Sequence, residues 1–270
     1  MPAAAATTPS PSSRLYAASG GENGGARLVM AHGFTQTHRV WGGLDILLGS
    51  DHRVVALDMP GHGRSAAVRA NLDQGAELMA AVGAKATYLG YSMGARFTLH
   101  LALAHPGLVE RLILISGTAG LEDEAARRDR RRADEHLADQ LDPPDGQGGA
   151  VPVDVFVSRW LDGPLFAGID EAANGFAERV ANTGAGLASS LRLAGTGTQR
   201  PLWDRLGELT MPVLIVTGGH DAKFTVLGER LARAIGSNAS MVTVPEAGHA
   251  PHLQRPDLVA RAVRSMPVAD

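Results

Sequence analysis

Short apolar runs rich in Val, Ile and Leu recur along the chain: Arg27 to Ala31, Arg53 to Leu57, Ala86 to Leu89, Arg111 to Ser116, Val213 to Thr217 and Ala239 to Val244. Each is too short for a stable helix and too uniformly apolar for a strand with one wet face. They are therefore predicted to be parallel strands buried on both sides, with the longer amphipathic stretches between them as covering helices. Between the fourth and fifth runs the pattern changes. Residues 119–202 carry the charged segment EDEAARRDRRRADEHLADQL at helical spacing and no convincing strand. A helical insertion at this point belongs over the C-terminal edge of the sheet, where open α/β sheets bind ligands. Residues 1–25 are small, polar and end in GGENGG, so they read as a flexible N-terminal arm. The expected organisation is thus a core of residues 26–118 and 203–270, interrupted by a helical cap over 119–202. A Pro/Gly-rich stretch, LDPPDGQGGAVP near 141–152, reads as a loop between cap helices.

Length and composition narrow the function classes. At 270 residues one large core suffices. A net charge of −3 argues against a polyanion-binding surface, so nucleic acid is not an expected partner. The absence of cysteine excludes disulfides, thiolate metal sites and a cysteine nucleophile. No basic and Leu-rich leader opens the chain and no apolar run reaches the roughly 18 residues a membrane span needs, so a cytoplasmic protein is expected. Oligomeric state is not readable.

The chemistry lies in YLGYSMGARFTLHLALAHP, where Gly90, Ser92 and Gly94 form G-x-S-x-G between a strand-like run and a helical pattern. Glycines two residues either side of the serine permit a sharp turn that lifts its oxygen clear of the sheet. The alternative is an ordinary helix N-cap serine. A serine hydroxyl needs an imidazole to take its proton and an acid to orient that imidazole. PVLIVTGGHDAKF places Asp221 just past a buried strand, and SMVTVPEAGHAPHLQRP places His249 past the next. Singly, a loop Asp is a turn or cap residue and a loop His a surface residue. Together, in the order Ser, Asp, His, they make a candidate triad. His252 is expected to pack rather than react, and with His249 it makes no zinc pair. An oxyanion hole would use the backbone N–H groups of Met93, after the serine, and Phe34, in the turn after the first strand. His32, Asp58 and His62 read as structural hydrogen-bonding residues of the neighbouring turns.

HGF, DMPGHGRS, GYSMGAR, the capped middle and the late D and GH motifs together resemble α/β-hydrolase-fold proteins over residues 27–266. This implies a mostly parallel central sheet flanked by helices, with a helical cap insertion. HGFTQT, GYSMGAR, AGTGTQRPLWDRL and DAKF narrow the resemblance to the 2-succinyl-6-hydroxy-2,4-cyclohexadiene-1-carboxylate synthase family, lyases of menaquinone biosynthesis. That resemblance implies elimination of pyruvate from a cyclohexene carboxylate, with the triad serine as base and neither metal nor organic cofactor. The alternative is a carboxylic-ester or C–C bond hydrolase working through a seryl acyl-enzyme, and a third is a binding protein on the same fold.

Arg96 separates these readings physically. It lies one helical turn after Ser92 on the same face, where a desolvated guanidinium calls for an anion such as a substrate carboxylate. The alternative partner is an internal Asp or Glu. The resemblance implies further substrate arginines from the cap, for which Arg128, Arg132 and Arg179 are the candidates. It also implies a cation at Lys223, although HDAKF departs from the family's DEKF-like segment by an alanine. The remaining charges of the run read as a solvated face. Trp160 either lines the apolar side of the pocket or packs within the cap.

Overall fold

A computed structural model describes residues 14–145 and 148–267. Its seven strands are β1 (Ala17–Gly21), β2 (Ala26–Ala31), β3 (His52–Leu57), β4 (Ala86–Tyr91), β5 (Val109–Ile115), β6 (Val213–Gly218) and β7 (Ala239–Val244). They form one sheet in the order β1-β3-β2-β4-β5-β6-β7, parallel except for β1. The helices are α1 (Leu44–Leu48), α2 (Leu72–Gly83), α3 (Met93–Ala104), α4 (Glu124–Leu141), α5 (Val153–Leu161), α6 (Phe176–Arg179), α7 (Gly184–Ala194), α8 (Ala222–Ile235), α9 (Pro251–Gln254) and α10 (Pro256–Arg264).

The twofold alternation of each strand deals its side chains to two apolar layers. In β4, Ala86 and Tyr88 join Met79, Phe97 and Leu231 on the face covered by α2, α3 and α8. Leu89 and Tyr91 join Leu44, Leu48, Val259 and Val263 on the face covered by α1 and α10. With both faces covered, every residue of β4 and β6 is buried, which explains why these strands read as continuous apolar runs.

The N-terminal reading is corrected for residues 17–21. They form an edge strand antiparallel to β3, from Ala17 opposite Leu57 to Gly21 opposite Arg53. The composition AASGG hid it, because this pairing uses backbone rather than side chains. Leu15, buried in the core, and the Tyr16 N–H, which donates to Ser65 Oγ at 2.9 Å, fix its start. Residues 1–13 of the expected arm, and 146 and 147 of the expected cap loop, lie outside the described residues.

Between β5 and β6 the described residues are helical or irregular. Asp123 caps α4, its Oδ2 accepting the Ala126 N–H at 2.7 Å. Thr183 caps α7 through the Gly186 N–H at 3.1 Å. With α5 these helices share a small apolar cluster of Ala138, Leu141, Phe156, Val157, Leu187 and Leu191, distinct from the two sheet layers. No helix among the described residues is long and apolar enough to cross a membrane.

Candidate active site

The chain leaves β4 at Tyr91 and enters α3 at Met93, so all of the turning falls on Ser92, at φ 51° and ψ −104°. A non-glycine residue held there costs about 1–3 kcal/mol. The Ser92 N–H donates to the Ile115 carbonyl at 2.9 Å, and the turn is fitted so closely that side chains are excluded on both sides. A Cβ on Gly94 would collide with the Ala31 carbonyl oxygen, and one on Gly90 with the backbone of Gly94 and Ala95. Although Ser92 stands at the N-cap position, its hydroxyl makes no capping bond. It lies 3.1 Å from His249 Nε2 instead.

His249 Nδ1 is 2.7 Å from Asp221 Oδ2. The other carboxylate oxygen of Asp221 accepts the Phe224 N–H at 3.2 Å, capping α8. Asp221 is therefore both the helix cap that its loop position suggested and the partner of the histidine, and the capping bond fixes the direction of the second oxygen. The His249 ring is held between Phe224 and Tyr91, with centroids at 4.3 and 5.6 Å. The three side chains of the candidate triad thus form one continuous hydrogen-bonded chain.

A cavity of about 100 Å³ opens above Ser92, floored by the core residues Ser92, Met93, Arg96 and His249 and roofed by cap residues. Phe34 and Met93, whose N–H groups were proposed for an oxyanion hole, both line it next to the serine. Trp160 lines it too, edge-on to Phe34 at 5.1 Å, as does Lys223 beside Phe224.

Arg96 reaches the cavity but is nearly sealed from solvent, and this burial pulls its pKa down to about 10, still cationic at neutral pH. Contrary to the expectation that an anion alone would compensate it, Nη1 donates to the Ala194 carbonyl at 2.7 Å. That carbonyl is one of those a helix C-terminus leaves unpaired, so the end of α7 carries partial negative charge toward the guanidinium.

The cap arginines differ from expectation. Arg128 and Arg132 are exposed, do not line the cavity and pair with Glu124 and Asp129 on their own helix. Arg130, which no sequence motif singles out, lines the cavity together with Asp134. The phase of α4 explains both results. Its buried positions Asp134, Ala138 and Leu141 define one stripe, and at about 100° per residue that stripe continues back to Arg130, leaving 128 and 132 on the other side. Arg179 is also corrected. It is wholly buried behind Phe34 rather than in the cavity wall, with Nε donating to the Asn174 carbonyl at 2.7 Å and Nη1 to Thr35 Oγ1. Burial lowers its pKa to about 10, and its hydrogen bonds reach the Phe34 carbonyl and Thr35 in the turn that carries Phe34.

Beneath that turn, His32 and His62 are buried and neutral, their pKa values pushed down to about 3 chiefly by desolvation. Each donates one ring N–H to a backbone carbonyl and accepts a backbone N–H at the other nitrogen. His32 Nδ1 meets the Gly33 carbonyl at 2.8 Å and Nε2 the Met59 N–H at 3.0 Å. His62 Nδ1 meets the Pro60 carbonyl at 2.9 Å and Nε2 the Thr35 N–H at 3.2 Å. Asp58 ties the same loops by accepting the His38 and Arg64 N–H groups, each at 2.8 Å. His252 is packed between Tyr91 and Trp41, and burial holds its pKa well below the usual value.

The model of the "Alpha/beta hydrolase family" matches residues 28–262. The chain is 33% identical over 264 residues to the putative 2-succinyl-6-hydroxy-2,4-cyclohexadiene-1-carboxylate synthase of Bacillus subtilis (strain 168), covering 93% of each chain. It is 31% identical to the corresponding synthase of Enterobacter sp. (strain 638), over 89% of this chain and 91% of the relative. Among solved structures, MenH from S. aureus superposes with a TM-score of 0.83 at 27% identity, over 93% of this chain and 97% of the other.

Proposed function

The chain belongs to the alpha/beta hydrolase family, and from that premise we propose that it is a lyase eliminating pyruvate from a cyclohexene carboxylate in menaquinone biosynthesis, as the names of its relatives suggest. The observation that carries this reading is the meeting of a serine–histidine pair with two arginines, Arg96 and Arg130, in one small cavity. Asp134 pairs with Arg130 and offsets one guanidinium charge, and the cation left over, for which neutral-ester hydrolysis gives no reason, suits a substrate bearing carboxylates.

In this reading His249, oriented by Asp221, takes the Ser92 hydroxyl proton, and the Ser92 oxygen removes a ring proton from the substrate. The electron pair of the broken C–H bond becomes the new ring double bond. The bond from the ring to the enolpyruvyl oxygen breaks, and pyruvate leaves as its enolate, which is then protonated. Arg96 and Arg130 hold carboxylates, while the Phe34 and Met93 N–H groups stabilise developing negative charge. Trp160 and Phe34 form the apolar wall against the ring, and Lys223 supplies a further cation at the rim.

The test offers the purified protein the cyclohexene carboxylate and, separately, a short-chain aryl ester, following pyruvate and phenol. Pyruvate release dependent on Ser92 supports the lyase. Ester turnover without pyruvate overturns it in favour of a hydrolase acting through a seryl acyl-enzyme.

A further inference from the structure

Asp134 is an unexpected wall residue for a cavity that admits carboxylates. It is only 2% exposed, and its charge repels the group the cavity is built to hold. Its bonds account for it. Oδ1 accepts Arg130 Nε at 2.8 Å across one turn of α4. Oδ2 accepts the Gly197 N–H at 3.3 Å. The turn between Ala194 and Gly197 lies directly on α4: a Cβ on Gly195 would strike the Asp134 carboxylate and one on Gly197 the Arg131 backbone nitrogen. The first residue of this turn, Ala194, is the one whose carbonyl accepts Arg96. One buried carboxylate thus links the cap arginine directly, and the core arginine through the glycine turn.

We propose that Asp134 is a positioning residue for the carboxylate subsite, holding Arg130 by Nε so that its two Nη groups face the ligand, and fixing the turn that anchors Arg96. This rests on the functional reading given above. A guanidinium binds a carboxylate best as a fork of two parallel N–H donors, and among the described residues neither Nη of Arg130 donates to protein. An arginine side chain free to rotate loses up to about 2 kcal/mol of entropy when a ligand orders it. One already tied at Nε loses far less. The charges also fit. Arg96, Arg130 and Lys223 against one aspartate leave a net charge of +2 along the cavity wall, which suits a ligand bearing two carboxylates.

A simple charge argument predicts the opposite sign, since removing Asp134 makes the subsite more positive and would tighten anion binding. Steady-state kinetics on Asp134→Asn therefore decides between them. The expected result is a KM raised about ten- to thirtyfold, the equilibrium equivalent of the ordering loss, with kcat changed less than about threefold. Combining Arg130→Gln with Asp134→Asn should cost clearly less than the two separate losses together, because most of the aspartate's effect runs through the arginine and only the part carried by the Gly197 turn remains. A KM that is unchanged or lowered, or losses that add, overturns the proposal. Should Asp134→Asn lose the fold by circular dichroism, Asp134→Glu takes its place: a raised KM at unchanged kcat supports the proposal and a wild-type KM overturns it. Calorimetric titration with succinate separates this claim from the reaction. If the wild type releases no pyruvate yet binds succinate more tightly than Asp134→Asn does, the lyase reading fails and Asp134 keeps its role. Equal succinate affinities overturn the role itself.

Discussion

Acidification to pH 5 will destabilise the fold through the two histidines under the Phe34 turn, well before carboxylates titrate. In the folded chain His32 and His62 have pKa values near 3, against an ordinary 6.5. Above pH 6.5 both states carry neutral histidine and no penalty exists. As pH falls below 6.5 the unfolded chain binds protons that the folded chain refuses, so stability falls until about pH 3. At pH 5 the unfolded imidazoles are almost fully protonated and the folded ones are not, which costs about 2 kcal/mol for each histidine and about 4 kcal/mol for the pair. His252, also held neutral by burial, adds in the same direction. That is a large part of the ~5–15 kcal/mol typical of a folded domain. The assay is urea denaturation followed by circular dichroism at pH 7.5, 6.5 and 5.0. With a dependence of about 3 kcal/mol per molar urea, the midpoint should fall by more than about 1 M across the series. His62→Asn sharpens the test. It loses stability at pH 7.5, because the Thr35 N–H loses its acceptor, but its further loss on going to pH 5 should shrink by about 2 kcal/mol. A midpoint that stays level from pH 7.5 to 5.0, or an equally steep decline in His62→Asn, would refute the reasoning.

Other substitutions test the site. Asp221→Asn keeps an acceptor for the Phe224 N–H and should leave the melting temperature within a few degrees, but it misorients His249 and should lower kcat about 10³–10⁴-fold; near-wild-type turnover of the variant would remove Asp221 from the mechanism. Arg130→Gln should raise KM at least about tenfold, the loss of one charge-assisted carboxylate contact, whereas Arg128→Gln and Arg132→Gln should leave it within about twofold, since both face solvent; equal effects at the three positions would show that the phase of α4 has been misjudged. Gly94→Ala forces a methyl into the Ala31 carbonyl and should cost more than about 3 kcal/mol by urea denaturation, so a wild-type midpoint would contradict the close approach of α3 to β2.

Six strands and the hydrogen-bonded Ser92–His249–Asp221 chain were legible in the sequence because each depends on a local pattern. A strand buried on both faces must be apolar throughout, and the serine turn needs small residues at fixed offsets. What was hidden depends on partners distant in the chain. The edge strand Ala17–Gly21 has almost no side-chain signal, since its stability comes from backbone pairing with β3. The cap arginines were misassigned for a different reason. Composition gives five arginines between 127 and 132 equal standing, and only the phase of Ala138 and Leu141, a full two turns further along α4, shows which of them turns inward. Arg179 looked like a ligand-binding cation because its partners, Thr35 and the Phe34 carbonyl, lie more than 140 residues away.

On the proposed reading, Asp221 and Arg96 each hold structure and serve the chemistry, which would link the cap to the reaction. Asp221 caps α8 with one oxygen and orients His249 with the other. Arg96 fastens the C-terminal end of α7 while its guanidinium faces the cavity. A carboxylate that binds Arg96 therefore meets a cation already bonded to a helix end, and the two acceptors share one set of donors. Because the five N–H groups of a guanidinium allow both bonds at once, the ligand adds to the cap contact rather than replacing it. If the Ala194 bond preorganises the guanidinium for a carboxylate, cap position and carboxylate affinity are coupled, and by linkage each must then strengthen the other to the same extent. Substitutions in the Gly195–Gly197 turn, which touch neither Ser92 nor His249, should on this argument alter KM while leaving the triad geometry unchanged.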